Sequence, residues 1–476
     1  MSIQKVREYF KQFGIEDRIR EFDVSSATVE LAAVAVGVEG ARIAKSMSFK
    51  VGEEPIIIVV AGDAKVDNSR YKAQFHTKAK MLTFEEAHTM IGHDPGGVCS
   101  FALPDNVKTY LDISLKRFET VFPAAGSSNS AIELTCDELE KYSSNFMGWI
   151  DVTKGIAILL VILGHSLVGL KINDYIFAFH MPVFFITSGI LFRPKSIPAV
   201  IKKNAQKLLI PYGITAVFVI IGRAASAYIQ HWTPEIIKSL CINTAIGSLF
   251  GFGVDEVRWF FPVWRIGAIW FLLAFFWSTL FMQLVFHATK QWQEWQRAIL
   301  VITVSTLSYI FGQYLWIPTN ADIGGFAILF VYAGYLFSKV QIWEKKKLPV
   351  VCWLLVAVVY VCAAHIGGIN MVIRYVPNYA AIPGALAGSL LLIKLSTYME
   401  HWKKCAKILI WYGRNSMKIL CVHLFEMMII PWGYFAQWLG LADTRLTTIV
   451  LRTLFITIGV LIINGIVRGV KKIQTF

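Results

Sequence analysis

The pattern of apolar and polar positions changes character near residue 147. Downstream, long apolar runs recur ten times, near 149–170, 175–192, 208–229, 266–287, 298–316, 322–338, 348–366, 377–397, 416–436 and 446–467. Each approaches the roughly twenty residues a helix needs to cross a hydrocarbon core, which predicts ten transmembrane helices. Upstream, the apolar residues come in short bursts. ARIAKSMSFKV and PIIIVVAGD have strand length, VREYFKQFG and FEEAHTMIG have helical spacing, and HDPGGV is rich in turn residues. The chain therefore reads as an α/β domain over residues 1–143 followed by an all-α polytopic membrane domain over 147–472. The stretch 230–265 is too interrupted for a clean span and is rich in Trp and Phe. It is expected to be an interfacial outer loop able to cover a site.

Charge sharpens the division. Residues 1–146 carry 17 Lys and Arg against 21 Asp and Glu, net −4, so the basic excess of +14 belongs to the membrane part. Ten crossings from an inside N-terminus put 19 Lys and Arg on the cytoplasmic side, in 193–207, 288–297, 339–347, 403–418 and the C-terminal tail. Lys171, Lys238, Arg258, Arg265, Arg374, Arg445 and Arg452 are left for the other side. The positive-inside rule fits that orientation, and the first thirty residues hold no signal-peptide core. The expectation is a multi-pass protein of a bacterial-type plasma membrane with both termini cytoplasmic. The excess charge then reflects topology and anionic lipid head groups and gives little reason to expect nucleic-acid binding. A mean hydropathy of +0.54, with 55% hydrophobic and 16% charged residues, exceeds what one soluble core requires. The seven cysteines are scattered, without a CxxC or Cys/His cluster of metal-ligand spacing, and read as reduced packing residues with no metal.

The first two apolar runs hold Asp151, Lys154, His165 and His180. An ionisable group at mid-membrane costs roughly 2.5–3.5 kcal/mol or more, so several together point to chemistry. Lys154 and His165 are eleven residues apart, which leaves them about 20° out of register and roughly 16 Å apart along one helix face. Asp151 lies within about 60° of both. His180 enters the second run at a depth comparable to His165, so the two imidazoles are placed to face each other. An imidazole can act as a base that is neutral near pH 7, and an ammonium can hold an anionic ligand, so His165 and Lys154 suit those two tasks. Other roles remain open: a histidine in a packed bundle also serves as an interhelical hydrogen bonder, and Asp151 also suits a helix N-terminus. Arg223 stands alone in the third run, as a buried functional residue or a snorkelling one. His423 and Glu426 share a helix face, where Glu426 orients His423. Lys202, Lys203 and Lys207 read as positive-inside anchors or as donor ligands.

WIDVTKGIAILLVILGH, FAFHMPVFFITSGILF, a basic stretch ending KLLIPY, AIWFLLAFFW and GRNSMKILCVHL resemble the acyltransferase 3 membrane family, in particular its fucose 4-O-acetylase-like branch, over about 147–470. The resemblance implies a ten-helix enzyme that moves an acyl group, usually acetyl from cytoplasmic acetyl-CoA, to a hydroxyl of an extracytoplasmic or lipid-linked glycan. It implies His165 as the catalytic histidine, with Lys154, His180 and Ser188 in support. The family's usual first motif is Arg, ten residues, His, and Lys154 stands in the Arg position. An ammonium grips phosphate as a point charge and not bidentately, so the exchange is not chemically neutral.

In the N-terminal part, ARIAKSMSFKV, IIIVVAGDAKVD and GHDPGGVCSFAL resemble the YbaK/ProX-type aminoacyl-tRNA deacylase family. That resemblance implies Lys45 as the essential lysine, with Gly62, Lys65, Gly92, Gly96 and Gly97 shaping a small pocket, and aminoacyl-tRNA as a partner. Ser100 occupies a position where the family usually has Pro. The net acidity of the domain argues against strong autonomous tRNA binding. Two other readings of the whole chain stay open. One is a polytopic transporter, although no internal repeat is evident. The other is an aminoacyl-tRNA editing hydrolase tethered to the membrane.

Overall fold

The computed structural model describes residues 1–476 apart from 1, 12, 53, 76, 95, 105–106, 144–147, 168, 193, 256–257, 341–347, 379, 401, 443 and 475–476. The expected domain boundary at 144–146 and most of the expected cytoplasmic loop at 339–347 lie outside the described residues. The chain divides into two compact units, Met1–Gly148 and Trp149–Phe476.

The first unit is α/β. Strands β1 (Ile19–Glu21) and β6 (Ser130–Ile132) pair antiparallel. A five-stranded sheet runs in the order β4 (Lys108–Leu111), β3 (Glu54–Ala61), β2 (Ile43–Val51), β5 (Thr120–Pro123), β7 (Leu134–Thr135). β2 and β3 form an antiparallel hairpin that sets Lys45 opposite Val60, while β4 and β5 add to it in parallel. The unbroken IIIVV run of β3 is buried on both faces, as a central strand requires. One face packs with Val6 and Phe10 of α1 (Ser2–Lys11) and Leu139 of α4 (Cys136–Tyr142). The other packs Phe49, Ile58 and Val60 on Tyr71 of α3 (Asn68–Phe75). Between β1 and β2 lies α2 (Val29–Val36), whose N-cap Thr28 accepts a hydrogen bond from the Leu31 amide.

The second unit is mostly helical. Its elements are α5 (Gly148–Ser166), α6 (Ile172–Phe177), α7 (Pro182–Ile190), α8 (Ile197–Ile229), α9 (Pro234–Phe250), α10 (Trp270–Ala288), α11 (Glu294–Tyr314), α12 (Ala321–Val340), α13 (Val350–Ile366), α14 (Ala381–Met399), α15 (Lys403–Arg414), α16 (Ser416–Ile429), α17 (Trp432–Trp438) and α18 (Arg445–Gln474). Among the described residues six helices are long and apolar enough to cross a bilayer: α5, α8, α10, α12, α14 and α18. A seventh is counted if α16 and α17, bent by 81°, form one broken span. That is fewer than the ten continuous spans expected, and three differences have local causes. The run 175–192 is split between α6 and α7, because Pro182 at the first turn has no N–H to continue the preceding helix. The run 416–436 breaks before Pro431 in the same way. The stretch expected as a loop at 230–265 begins with the seventeen-residue helix α9, which ends where Gly251 turns left-handed at φ +77°. It runs back along α8, with the Tyr212 hydroxyl donating to the Ser248 carbonyl at 2.6 Å.

Glycines set the closest helix contacts. A Cβ on Gly189 of α7 would lie 1.8 Å from the Val331 carbonyl oxygen of α12, and one on Gly334 of α12 would lie 2.0 Å from that of Ile186. The same reciprocal contact joins α5 and α15, through Gly155 against Leu409 and Gly413 against Asp151. In lipid, where apolar surface gives little drive for association, such backbone approach is a main source of helix affinity. At the other end of α12 a buried ion pair clamps three loops together. Arg374 donates to Asp322 at 2.7 and 3.1 Å and to Asn320 at 3.1 Å, and its guanidinium lies 3.8 Å over the Trp316 ring. Asn320 in turn donates to the Gly251 carbonyl at 2.6 Å. Thr319, Asn320 and Arg374 all adopt left-handed φ, at 62°, 57° and 54°, so the clamp holds backbone that side-chain-bearing residues otherwise avoid. Arg374, counted from the sequence among the outer-side cations, is a buried partner.

Gly334→Leu is expected to destabilise the membrane unit by at least about 1–3 kcal/mol through overpacking. Gly465→Ala, where a Cβ meets open space, is expected to be neutral. The yield of monodisperse protein in detergent, and its melting temperature, distinguish the two.

Candidate functional site

Five elements converge near the C-terminal end of α5. His165 lies on α5 with its ring 5.7 Å from Phe177 of α6 and 5.4 Å from the ring of His423 on α16. His423 is wholly buried, and its Nδ1 lies 2.7 Å from Oε1 of Glu426, equally buried one turn further on. The spacing of three puts both side chains on one face of α16, as the sequence predicts. Glu426 also accepts from Arg452 of α18 at 3.0 and 3.2 Å and from the indole of Trp432 on α17. Arg452 reaches across to α5, donating to the Ser166 hydroxyl at 3.0 Å and the His165 carbonyl at 3.3 Å. The guanidinium supplies the counter-charge that a carboxylate needs when removed from water. His165 is only partly buried, whereas Nε2 of His423 is buried without a hydrogen-bond partner.

At the opposite end of α5, Asp151 sits between two cations. Lys154 Nζ lies 2.7 Å from one carboxylate oxygen, and Arg414 Nε lies 3.1 Å from the other. The glycine contact between α5 and α15 brings Arg414 there. All three side chains keep some exposure, at 26% for Lys154, 21% for Asp151 and 37% for Arg414, so a solute can reach them. Eleven residues separate this cluster from His165, or about 16 Å of helix.

The other expected residues are placed differently. His180 Nδ1 lies 3.2 Å from the Ile176 carbonyl, and its ring lies 4.7 Å from Phe177, whose ring also neighbours His165. A further imidazole, that of His423, lies directly against His165. Ser188 is half-buried on α7, five residues beyond Val183, which shares an apolar cluster with Ala157 of α5. Arg223 belongs to the α8–α9 hairpin, donating to Thr244 at 3.0 Å and lying 5.5 Å over the Trp264 ring. Sequence reasoning missed Arg414, Trp432 and Arg452. Arg452, counted from the sequence among the outer-side cations, is buried inside the bundle. Its position in the apolar run LTTIVLRTLFITIGV was the available signal.

In the first unit, Lys45 is half-buried and donates to the carbonyls of Ala64 at 3.0 Å and Gly62 at 3.4 Å. Gly62 abuts the Gly40 carbonyl oxygen, which a Cβ would meet at 2.1 Å. Gly96, at φ +81°, and Gly97 pack against Ala27, Gly126 and Ser128. Lys65 points to solvent. The loop is held from behind by His93, which bonds the Phe101 carbonyl at 2.8 Å, and by Cys99. Burial lowers the His93 pKa and pushes that of the Cys99 thiol up to about 12. Ser100, in the position where Pro was expected, is buried and receives a hydrogen bond from Ser143 at 3.0 Å.

An α/β unit joined to a helical unit that buries a histidine, a carboxylate and an arginine among apolar helices is the architecture of a two-domain membrane protein with interior chemistry. Residues 147–468 match the acyltransferase domain family, and the chain belongs to that family. It is a membrane acyltransferase by that membership, and residues 24–142 match the aminoacyl-tRNA editing domain family. The uncharacterised Bacillus subtilis (strain 168) protein YwhH is 52% identical over 155 residues, 32% of this chain and 98% of that protein. The proline–tRNA ligase of Aquifex aeolicus (strain VF5) is 29% identical over 90 residues, 18% of this chain and only 16% of the ligase. A solved structure described as a candidate trans-editing enzyme for prolyl tRNA synthetase is 25% identical, covering 30% of this chain and 91% of its own, at a TM-score of 0.29. Both resemblances read from the sequence motifs are borne out at the level of family.

Cys99 is expected to resist maleimide at pH 8 in the folded protein, reacting at least about 100-fold more slowly than exposed Cys405, because its thiolate is scarce. Denaturation in detergent should abolish the difference, and mass spectrometry of labelled peptides reads it.

Proposed function

We propose that the chain is an integral-membrane O-acyltransferase that moves acetyl from cytoplasmic acetyl-CoA to a hydroxyl of a cell-surface or lipid-linked glycan, with a cytoplasmic domain that hydrolyses aminoacyl-tRNA. The domains span 1–143 and 147–472. In the plasma membrane, the broken pairs α6–α7 and α16–α17 each count as one crossing, α11 and α13 add two more, and α9 enters without crossing. That gives about ten crossings with both termini cytoplasmic.

The observation that carries this reading is the partly accessible His165 ring backed by a buried imidazole, carboxylate and guanidinium. His165 takes the proton of the acceptor hydroxyl as its oxygen bonds to the acyl carbon. The carbon–sulfur bond of the thioester breaks, and the departing thiolate receives the proton. Lys154 is a monodentate cation where the family usually has Arg, and Arg414 beside it offers the planar guanidinium that matches phosphate. Lys154 and Arg414, both beside Asp151, would meet a polyanionic donor at the end of α5 nearer the cytoplasm. His180 and Ser188 support the bundle around the site, and Arg223 lies near the acceptor side. Lys45, Lys65, Gly96 and Gly97 define the editing pocket. There, the Lys45 ammonium engages the carbonyl or phosphate of the aminoacyl ester.

His165→Ala is expected to lower acetylation of surface glycan at least about 100-fold at unchanged protein level, read by mass spectrometry of glycans from complemented knockout cells. Retained acetylation would overturn the reading. Lys45→Ala should leave acetylation intact and abolish release of amino acid from mischarged tRNA in vitro.

A further inference from the structure

The acyl transfer proposed above uses one imidazole, yet a second lies against it. His423 is completely buried, its Nδ1 is committed to Glu426, and its Nε2 is buried with no hydrogen-bond partner. An orphaned buried ring nitrogen is costly to keep. The protonation of the ring follows from its neighbours. The Glu426 carboxylate already accepts from Arg452 and Trp432, so it accepts from Nδ1 as well. Nδ1 is therefore the protonated nitrogen, and Nε2 carries the lone pair. Among the ring neighbours of His423, His165 is the one with an N–H to offer, and the 5.4 Å between centroids lets two imidazoles meeting edge-on come within hydrogen-bond reach.

We propose that His423, Glu426 and Arg452 form a positioning relay behind His165. In the working state an N–H of His165 donates to Nε2 of His423, which presents the other His165 nitrogen, with its lone pair, to the acceptor hydroxyl. When His165 takes the hydroxyl proton, the positive charge it gains is balanced through His423 by the Glu426 carboxylate. When the thiolate takes that proton, both rings return to their starting forms, so the relay neither gains nor loses a proton. Arg452 has two tasks. It fixes the carboxylate that sets the His423 tautomer, and through Ser166 and the His165 carbonyl it ties α18 to the turn of α5 that carries the catalytic ring. Only His165 touches substrate.

This inference rests on the proposed acyl transfer, and its test separates the two. Initial rates are measured with radiolabelled acetyl-CoA and membrane vesicles carrying endogenous glycan, for full-length protein quantified by blotting. Glu426→Gln keeps shape but not charge. His423→Asn keeps a donor to Glu426 and removes the Nε2 lone pair. Each is expected to lower kcat on the order of 100-fold with KM for acetyl-CoA within about twofold. Arg452→Met should match that loss, and Arg452→Lys should restore part of it. A merely structural role would instead reduce folded protein, or change KM and kcat together. Wild-type kcat in both Glu426→Gln and His423→Asn, or a raised KM at unchanged kcat, overturns the relay while leaving the acyl transfer standing. No transfer by the wild-type protein, or transfer by His165→Ala, overturns the proposed function itself. If Glu426→Gln does not fold, His423→Asn alone decides the question.

Discussion

The organisation of the membrane unit depends on one constraint: a carboxylate cannot be left alone in an apolar interior. Glu426 is fully buried, and the elements around it supply what it lacks. Arg452 brings the opposite charge from α18, Trp432 brings an indole N–H from α17, and His423 brings a ring N–H from the turn before it. Removing one partner of such a set leaves an unpaired charge, whose cost of about 3–5 kcal/mol rivals the stability of a whole domain. Packing against these groups, the partly accessible His165 inherits a defined place. Stability and chemistry thus share one set of contacts.

The Asp322–Arg374 pair solves the same problem elsewhere, without any free valence. Its guanidinium is spent on Asp322, Asn320 and the Val372 carbonyl, and its faces on aromatic rings. In the network behind His165, by contrast, His423 Nε2 has no hydrogen-bond partner among the described residues.

Period and composition made much of this legible. The switch from short mixed runs to long apolar ones located the two units, and the spacing of His423 and Glu426 predicted a pair that the fold forms at 2.7 Å. Breaks were harder to read. Hydropathy averages over a window, so it did not register Pro182 and Pro431 as cuts in two runs, nor see that α9 turns an expected loop into a helix. Long-range partners were invisible for a different reason. Arg452 meets Glu426 across 26 residues, and Arg414 meets Asp151 across 263, distances that no local pattern encodes. A charge tally likewise cannot tell a solvated arginine from a neutralised one, so the ion pairs of Arg452 and Arg374 were not legible in it.

The interlock of Gly155 with Leu409 and Gly413 with Asp151 leaves no room for α5 to slide on α15. These two helices therefore travel as one rigid rail, with His165 at one end and the Asp151 cluster at the other. Beside that rail the backbone is interrupted between α6 and α7, just ahead of Pro182, and Phe177 at that interruption lies 5.7 Å from His165.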